Sequence, residues 1–282
     1  MTRILSALFM LVLLQPAIAQ RKINKVNNDP SYFYMIKVQG GSFFLGSDKG
    51  AMDRRPEHTV TLKDFYMDAY EVTQAQWEAV MGSNPSKDKC SDCPVTNVSW
   101  DDVQNYIERL NSKTGKHYRL PTEAEWEFAA RGGVHEVPLV KPSKGVDRGG
   151  VNQFLITHPD ERVPDKDKTG KKYSGKRLPQ DVAWYEANSK GHIHEIGRKK
   201  ANELGIYDMS GNAEEWCSDF YAGNYGSKDD VNDPQGPATG HSHVVRGGAW
   251  NSSKEDIIIT RREAYVPNTK TDALGFRLVE DK

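Results

Sequence analysis

Glycine and proline interrupt this chain throughout, 24 and 14 of them, which points to short elements joined by structured loops rather than to a helix bundle. With 37% hydrophobic and 10% aromatic residues, the chain still has the material for a substantial core. Residues 32–45 read as a hairpin, with apolar runs at 33–38 and 43–45 flanking Gly40-Gly41. Val60, Leu62, Phe65 and Met67 mark further strand over 59–70. Three helices share one start signal: Thr73 with Gln76, Ser99 with Asp102, and Thr122 with Glu125. In each the hydroxyl can cap a free backbone N–H, and in the first and third the longer side chain can reach back to the cap. The first helix is expected to stop at Gly82 and the third at Gly132-Gly133. Residues 274–279 read as a final strand. Short strands, few helices and long loops predict an α+β, loop-rich fold.

The first nineteen residues have the parts of a secretory leader: Arg3, an apolar run over 4–14, and Ala17-Ile18-Ala19 before Gln20. The apolar run is shorter than the roughly 20 residues that span a bilayer. The chain is therefore expected to be exported to the periplasm or outer surface, with no transmembrane segment in its mature form. Removing the leader takes one base and no acid, leaving 37 bases against 39 acids. That balance argues against nucleic acid as a partner. A polar lead-in covers residues 20–31, one domain covers 32–282, and residues 134–172 read as a charged insertion within it.

The cysteines are Cys90, Cys93 and Cys217. A zinc site needs two more ligands near Cys90-Ser-Asp-Cys93, and no second Cys-x-x-Cys exists. A structural disulfide between Cys90 and Cys93 is favoured over an active dithiol, because Pro94 and a turn-like segment follow rather than a helix. Cys217 is expected to be buried and unpaired.

Several longer motifs follow one another: Gly40-Gly41-Ser42-Phe43-Phe44-Leu45-Gly46, Tyr70-Glu71-Val72-Thr73, Pro94-Val95-Thr96-Asn97-Val98-Ser99-Trp100 and Arg119-Leu120-Pro121-Thr122-Glu123-Ala124-Glu125-Trp126-Glu127. Then come Gly205-Ile206-Tyr207-Asp208-Met209-Ser210-Gly211-Asn212-Ala213-Glu214-Glu215-Trp216, Arg246-Gly247-Gly248-Ala249-Trp250 and Leu274-Gly275-Phe276-Arg277. Together they resemble the formylglycine-generating-enzyme, or sulfatase-modifying-factor, family. The resemblance implies a C-type-lectin-like fold of the sulfatase-modifying-factor type. It also implies a structural calcium ion held by the side chains of Asp208 and Glu215 and the carbonyls of Gly211 and Ala213. Two carboxylates and turn carbonyls are hard oxygen donors of the kind calcium takes; a polar turn without metal is the alternative.

Active members of that family hold copper(I) with two cysteines. The matching positions here are Ser252 and Ile257, and no cysteine follows Cys217. Copper(I) selects soft thiolates, so copper-dependent thiol oxidation is not expected. A non-oxidase binding or assembly module is the leading reading, and an oxidase acting on a sulfatase or on another substrate is the alternative. The implied fold alone also suggests a lectin-like sugar or peptide binder. Asn251, Ser252, Ser253 and Arg261 fall near the family's substrate groove and suit a protein, peptide or small-ligand partner. Equally open is a strand over 257–262 with Arg261 and Arg262 on opposite faces, one of them in an internal ion pair. Some relatives build an iron site from histidines. His192/His194 and His241/His243 are spaced for one strand face, but exposed loop histidines are the better reading.

Overall fold

The computed structural model describes residues 32–133, 171–175, 178–226 and 231–281. The leader, the polar lead-in and residues 134–170 of the insertion lie outside the described residues. Among the described residues, no helix is long and apolar enough to cross a membrane.

Among the described residues, three small sheets carry the fold. The first runs β1 (Met35–Val38), β4 (Phe65–Asp68), β11 (Val279–Glu280), β5 (Tyr118–Arg119). The second runs β10 (Leu274–Gly275), β6 (Glu214–Phe220), β8 (His243–Arg246), β9 (Glu263–Tyr265). The third joins β2 (Gly41–Leu45), β3 (His58–Leu62) and β7 (Val231–Asn232). Helices α1 (Gln74–Met81), α2 (Trp100–Thr114) and α3 (Glu123–Ala130) pack among them, and α4 (Pro179–Val182) is a single turn. This is an α+β, loop-rich architecture.

All three helix starts are capping boxes, including that of α2, where Asp102 reaches back to the Ser99 N–H as the longer residues do in α1 and α3. Gly82 closes α1 at φ 80°. The hairpin expected over 32–45 does not form. β1 pairs with β4 and β2 with β3, so the Gly40-Gly41 corner hands the chain from one sheet to another. The corner must be glycine: a Cβ at Gly40 would lie 2.2 Å from the Leu62 carbonyl oxygen. The strand expected over 59–70 is two strands, β3 and β4, and residues 274–279 contribute only two short ones, β10 and β11.

α3 is buried on every residue although it carries three glutamates. Each has a cationic partner. Glu123 takes Arg246 at 3.0 Å and Arg262 at 2.6 Å, Glu125 takes Arg119 at 2.7 Å, and Glu127 takes Arg131 at 2.7 Å together with Arg246. Arg246 also donates to the Ile259 carbonyl at 2.8 Å, and the Ile259 N–H donates to Lys172 at 2.9 Å. Those bonds occupy the Ile259 peptide groups, and residues 257–262 run as bends and turns, so the strand left open for them does not form. Arg262 makes the internal ion pair, and Arg261 remains partly exposed.

The two edges of the segment expected to be an insertion lie against the same residue, Glu203. Gly132 and Gly133 pack on Glu203 and Leu204, and Lys171 pairs with Glu203 at 2.7 Å.

Gly40→Ala is expected to lower the urea-unfolding free energy by about 1–3 kcal/mol through overpacking of the corner. Gln39→Ala, at the exposed neighbour, is expected to stay within about 0.5 kcal/mol of the parent protein.

Candidate functional site

The turn between Tyr207 and β6 is shaped by left-handed residues: Asp208 at φ 57°, Gly211 at 79° and Asn212 at 64°. Only glycine fits the middle of it, because a Cβ on Gly211 would meet the Trp184 carbonyl oxygen at 2.1 Å. Glu71, just ahead of α1, ties the turn from below. Its carboxylate accepts from the Ala213 N–H at 3.0 Å and the Asn212 amide at 3.1 Å.

The two proposed calcium-binding carboxylates are placed differently. Asp208 accepts from the Gly197 N–H at 2.7 Å through Oδ2, and its Oδ1 is buried with no partner. Glu215 is held on both oxygens: Arg277 donates Nη2 to Oε1 at 2.6 Å and Nε to Oε2 at 2.7 Å, and Trp126 Nε1 donates to Oε2 at 2.6 Å. A carboxylate offers about four lone-pair positions, so one remains. Asp208 thus fits a cation ligand, whereas Glu215 is the partner of a guanidinium first. Among the described residues, no group of three or more His, Cys, Asp or Glu side chains is arranged to hold a metal.

Charge around Arg277 is out of balance. Asp68, Glu71, Asp208 and Glu215 are all buried near it, and Lys199 is a further cation acting on Asp208. Burial pushes the Asp68 carboxyl up to about 7 and Asp208 up to about 6. Glu71 is driven well above the usual carboxylate range by burial and by neighbouring Asp208 and Glu215. The surplus negative charge is met by protons or by a cation. Glu71 stands within the Tyr70-Glu71-Val72-Thr73 motif, but neither it nor Asp68 was assigned to the site, because buried acids carry no apolar periodicity. The signal available was a glutamate directly before a capped helix.

The second region is the loop after β8. Gly247 and Gly248 are left-handed, and a Cβ on Gly248 would lie 2.9 Å from Ile257 Cγ2. Asn251 is exposed, and Ser252, Ser253 and Arg261 are half-buried on the same loop. Ser252 Oγ accepts from the Ala249 N–H at 2.9 Å, and Ser253 donates to Asp256 at 2.7 Å. Arg261 lies 3.3 Å from Asp256 and also pairs with Glu263. Ile257 is fully buried with Tyr173, Val182 and Ala183. Ile257, which the resemblance matches to a copper-ligand position, therefore lies in an apolar core cluster.

The histidines are not all exposed, contrary to expectation. His243 is buried, stacked between Trp100 at 4.0 Å and Phe220 at 4.4 Å, while His194 stacks on Trp184 at 3.7 Å. Cys90 and Cys93 form a disulfide with an S–S distance of 2.11 Å, and Cys217 is buried and free.

Residues 20–282 match the model of the sulfatase-modifying factor enzyme 1-like domain. The chain is 31% identical to the chaperone protein LppX of Paenibacillus barcinonensis, over 88% of this chain and 89% of that protein. It is 27% identical to the formylglycine-generating enzyme of Streptomyces coelicolor, over 87% of this chain and 88% of that protein. Among solved structures, variable protein 1 of Treponema denticola superposes with a TM-score of 0.70 at 28% identity, covering 87% of this chain and 94% of that one.

Arg277→Met leaves the surrounding carboxylates uncompensated and is expected to cost about 3–5 kcal/mol in urea unfolding at neutral pH. A buried acid whose folded value is raised contributes its stability below its unfolded value and loses it as pH rises through the folded one. For Asp68 that window runs from 3.8 to about 7. The penalty of Arg277→Met should therefore shrink on acidification through that window; an equal penalty at both ends would contradict the charge argument.

Proposed function

The chain belongs to the sulfatase-modifying factor enzyme 1-like domain family, and from that premise we propose an exported, non-oxidase binding or assembly module built on a calcium-stabilised scaffold. The observation that carries the non-oxidase reading is the state of the two copper-ligand positions. Ser252 closes a turn through its hydroxyl, and Ile257 is packed into the interior. Neither offers a thiolate, the donor copper(I) takes. Export rests on the leader at residues 1–19. An assembly role has a parallel in the relative named as a chaperone protein. Its partner, a protein, peptide or small ligand, would meet the polar loop bearing Asn251, Ser253 and Arg261.

In this reading calcium would sit on the Asp208 side of the turn, with the Gly211 and Ala213 carbonyls and the remaining lone pair of Glu215 as further donors. The unpartnered Asp208 Oδ1 and the surplus of buried carboxylates around Arg277 support that placement. The ion would supply structural charge compensation there, stiffening the turn that leads into β6.

A second reading, a formylglycine-generating oxidase, is favoured by the 27% identity to the Streptomyces coelicolor enzyme. Loading the protein with copper(I) and offering a sulfatase-derived cysteine peptide separates the two. No formylglycine above the protein-free control is expected, and turnover at an enzyme-like rate would replace the first reading with the second. For calcium, the melting temperature is expected to rise on adding the ion after chelation, and Asp208→Asn is expected to remove that rise. Equal melting temperatures with and without calcium would eliminate the ion.

A further inference from the structure

The loop between α1 and α2 is fastened to the start of α1 by hydrogen bonds, while its disulfide closes within the loop itself. Gln74, fully buried, accepts from the Cys90 N–H at 2.9 Å and from the Asn84 amide at 2.8 Å, and donates to the Asp88 carbonyl at 2.9 Å. The Gln74 N–H donates to Cys93 O at 2.9 Å, and the Ala75 N–H to Ser91 O at 3.1 Å. Within the loop, the Cys93 N–H donates to Cys90 O at 3.1 Å. The cysteines are three positions apart, a closure that restricts the unfolded chain least when it is so short. Hydrogen bonds alone already hold both ends of this segment, so the covalent bond is not what keeps the loop in place.

The two sulfurs are not equivalent. Cys93 is 3% exposed and packs with Ile193 and Ala213. Cys90 is half-buried and lines an open recess of about 470 Å³ with Gln74, Glu78, Asn84, Lys89 and Ser91. Of the two sulfurs, Cys90 is therefore the one more open to an attacking thiolate, with Cys93 as the sulfur that leaves. The loop covers the first amides of α1, whose first turn holds no acid.

We propose that Cys90–Cys93 is an exchangeable dithiol–disulfide couple whose substrate is a cysteine pair on a peptide or protein docked in this recess. One substrate thiolate attacks Cys90 Sγ, forming a mixed disulfide as the Cys90–Cys93 bond breaks and Cys93 leaves as a thiolate that is then protonated. The second substrate thiolate attacks the first substrate sulfur, releasing Cys90. The substrate loses two electrons and two protons and becomes a disulfide; the pair gains both and becomes a dithiol. The reverse sequence reduces a substrate disulfide. The Cys-x-x-Cys spacing alone favours a clamp. The unequal exposure, the recess and the independent fastening of the loop favour exchange. This activity is separate from the loop bearing Ser252 and does not depend on the proposed function above.

Native protein treated with dithiothreitol and quenched with iodoacetamide is expected to gain two carbamidomethyl groups on the peptide containing Cys90 and Cys93. The circular dichroism spectrum should be unchanged and Cys217 unlabelled. With oxidised glutathione, Cys93→Ser should form its adduct on Cys90 at least tenfold faster than Cys90→Ser forms one on Cys93. If either variant fails to fold, the adduct trapped on the wild-type protein during reduction by glutathione should map to Cys90. A dithiol peptide should be oxidised with one disulfide formed per Cys90–Cys93 consumed. A pair that stays oxidised until the protein unfolds, a reduction that itself unfolds the protein, equal adduct rates, a trapped adduct on Cys93, or no stoichiometric peptide oxidation would each overturn the proposal.

Discussion

A guanidinium with no access to water sets the terms on which the end of this chain can close. Arg277 is fully buried, and its donors reach Glu215 in β6, the carbonyl of Asp68 in β4 and the carbonyl of Tyr207. Glu215 in turn accepts from Trp126 in α3. One ion pair therefore joins the first sheet, the second sheet and the buried helix. Desolvating such a pair is expensive, and replacing it by packed apolar residues is often neutral or stabilising. Its worth here lies in what it specifies: the last segment has one place where Arg277 is satisfied, and β10 and β11 fall on either side of it.

The same logic explains why α3 can be a core helix while reading as a charged one. Glu125 and Glu127 meet Arg119 and Arg131 from the residues flanking the helix, while Arg246 and Arg262 reach Glu123, and Arg246 also Glu127, from far along the chain. Burial works against the Glu127 carboxylate, yet Arg131 and Arg246 hold it below the usual carboxylate range. Charge pairing here substitutes for hydrophobicity, and it couples the loop after β8 to the helix.

What could be read from the residues in advance was whatever depends on near neighbours. The three capping boxes are contacts across three positions, and each formed around the hydroxyl that announced it. Gly82 likewise ends α1 by its own backbone freedom. Strand partnership was not legible, because β1 and β2 are adjacent in sequence and the choice between them and β4 or β3 is made by distant residues. The strand that was one of two open readings for 257–262 does not form, for a similar reason. Its apolar residues do face the core, but Arg246 and Lys172 take the peptide groups a ladder would need. In the site, the turn from Asp208 to Glu215 was visible as a motif, whereas the hold of Arg277 on Glu215 and the place of Glu71 beneath the turn depend on long-range folding.

Gly132 and Lys171 both meet Glu203, and Gly133 meets Leu204 next to it, so the chain departs and returns through a single doorway. The entropy of closing a loop rises only with the logarithm of its length. Once that doorway is secured on both sides, the stretch between can lengthen, shorten or be exchanged for another sequence at small thermodynamic expense. The junction is thus a natural graft point, where a lineage can acquire new recognition sequence without renegotiating the scaffold beneath it.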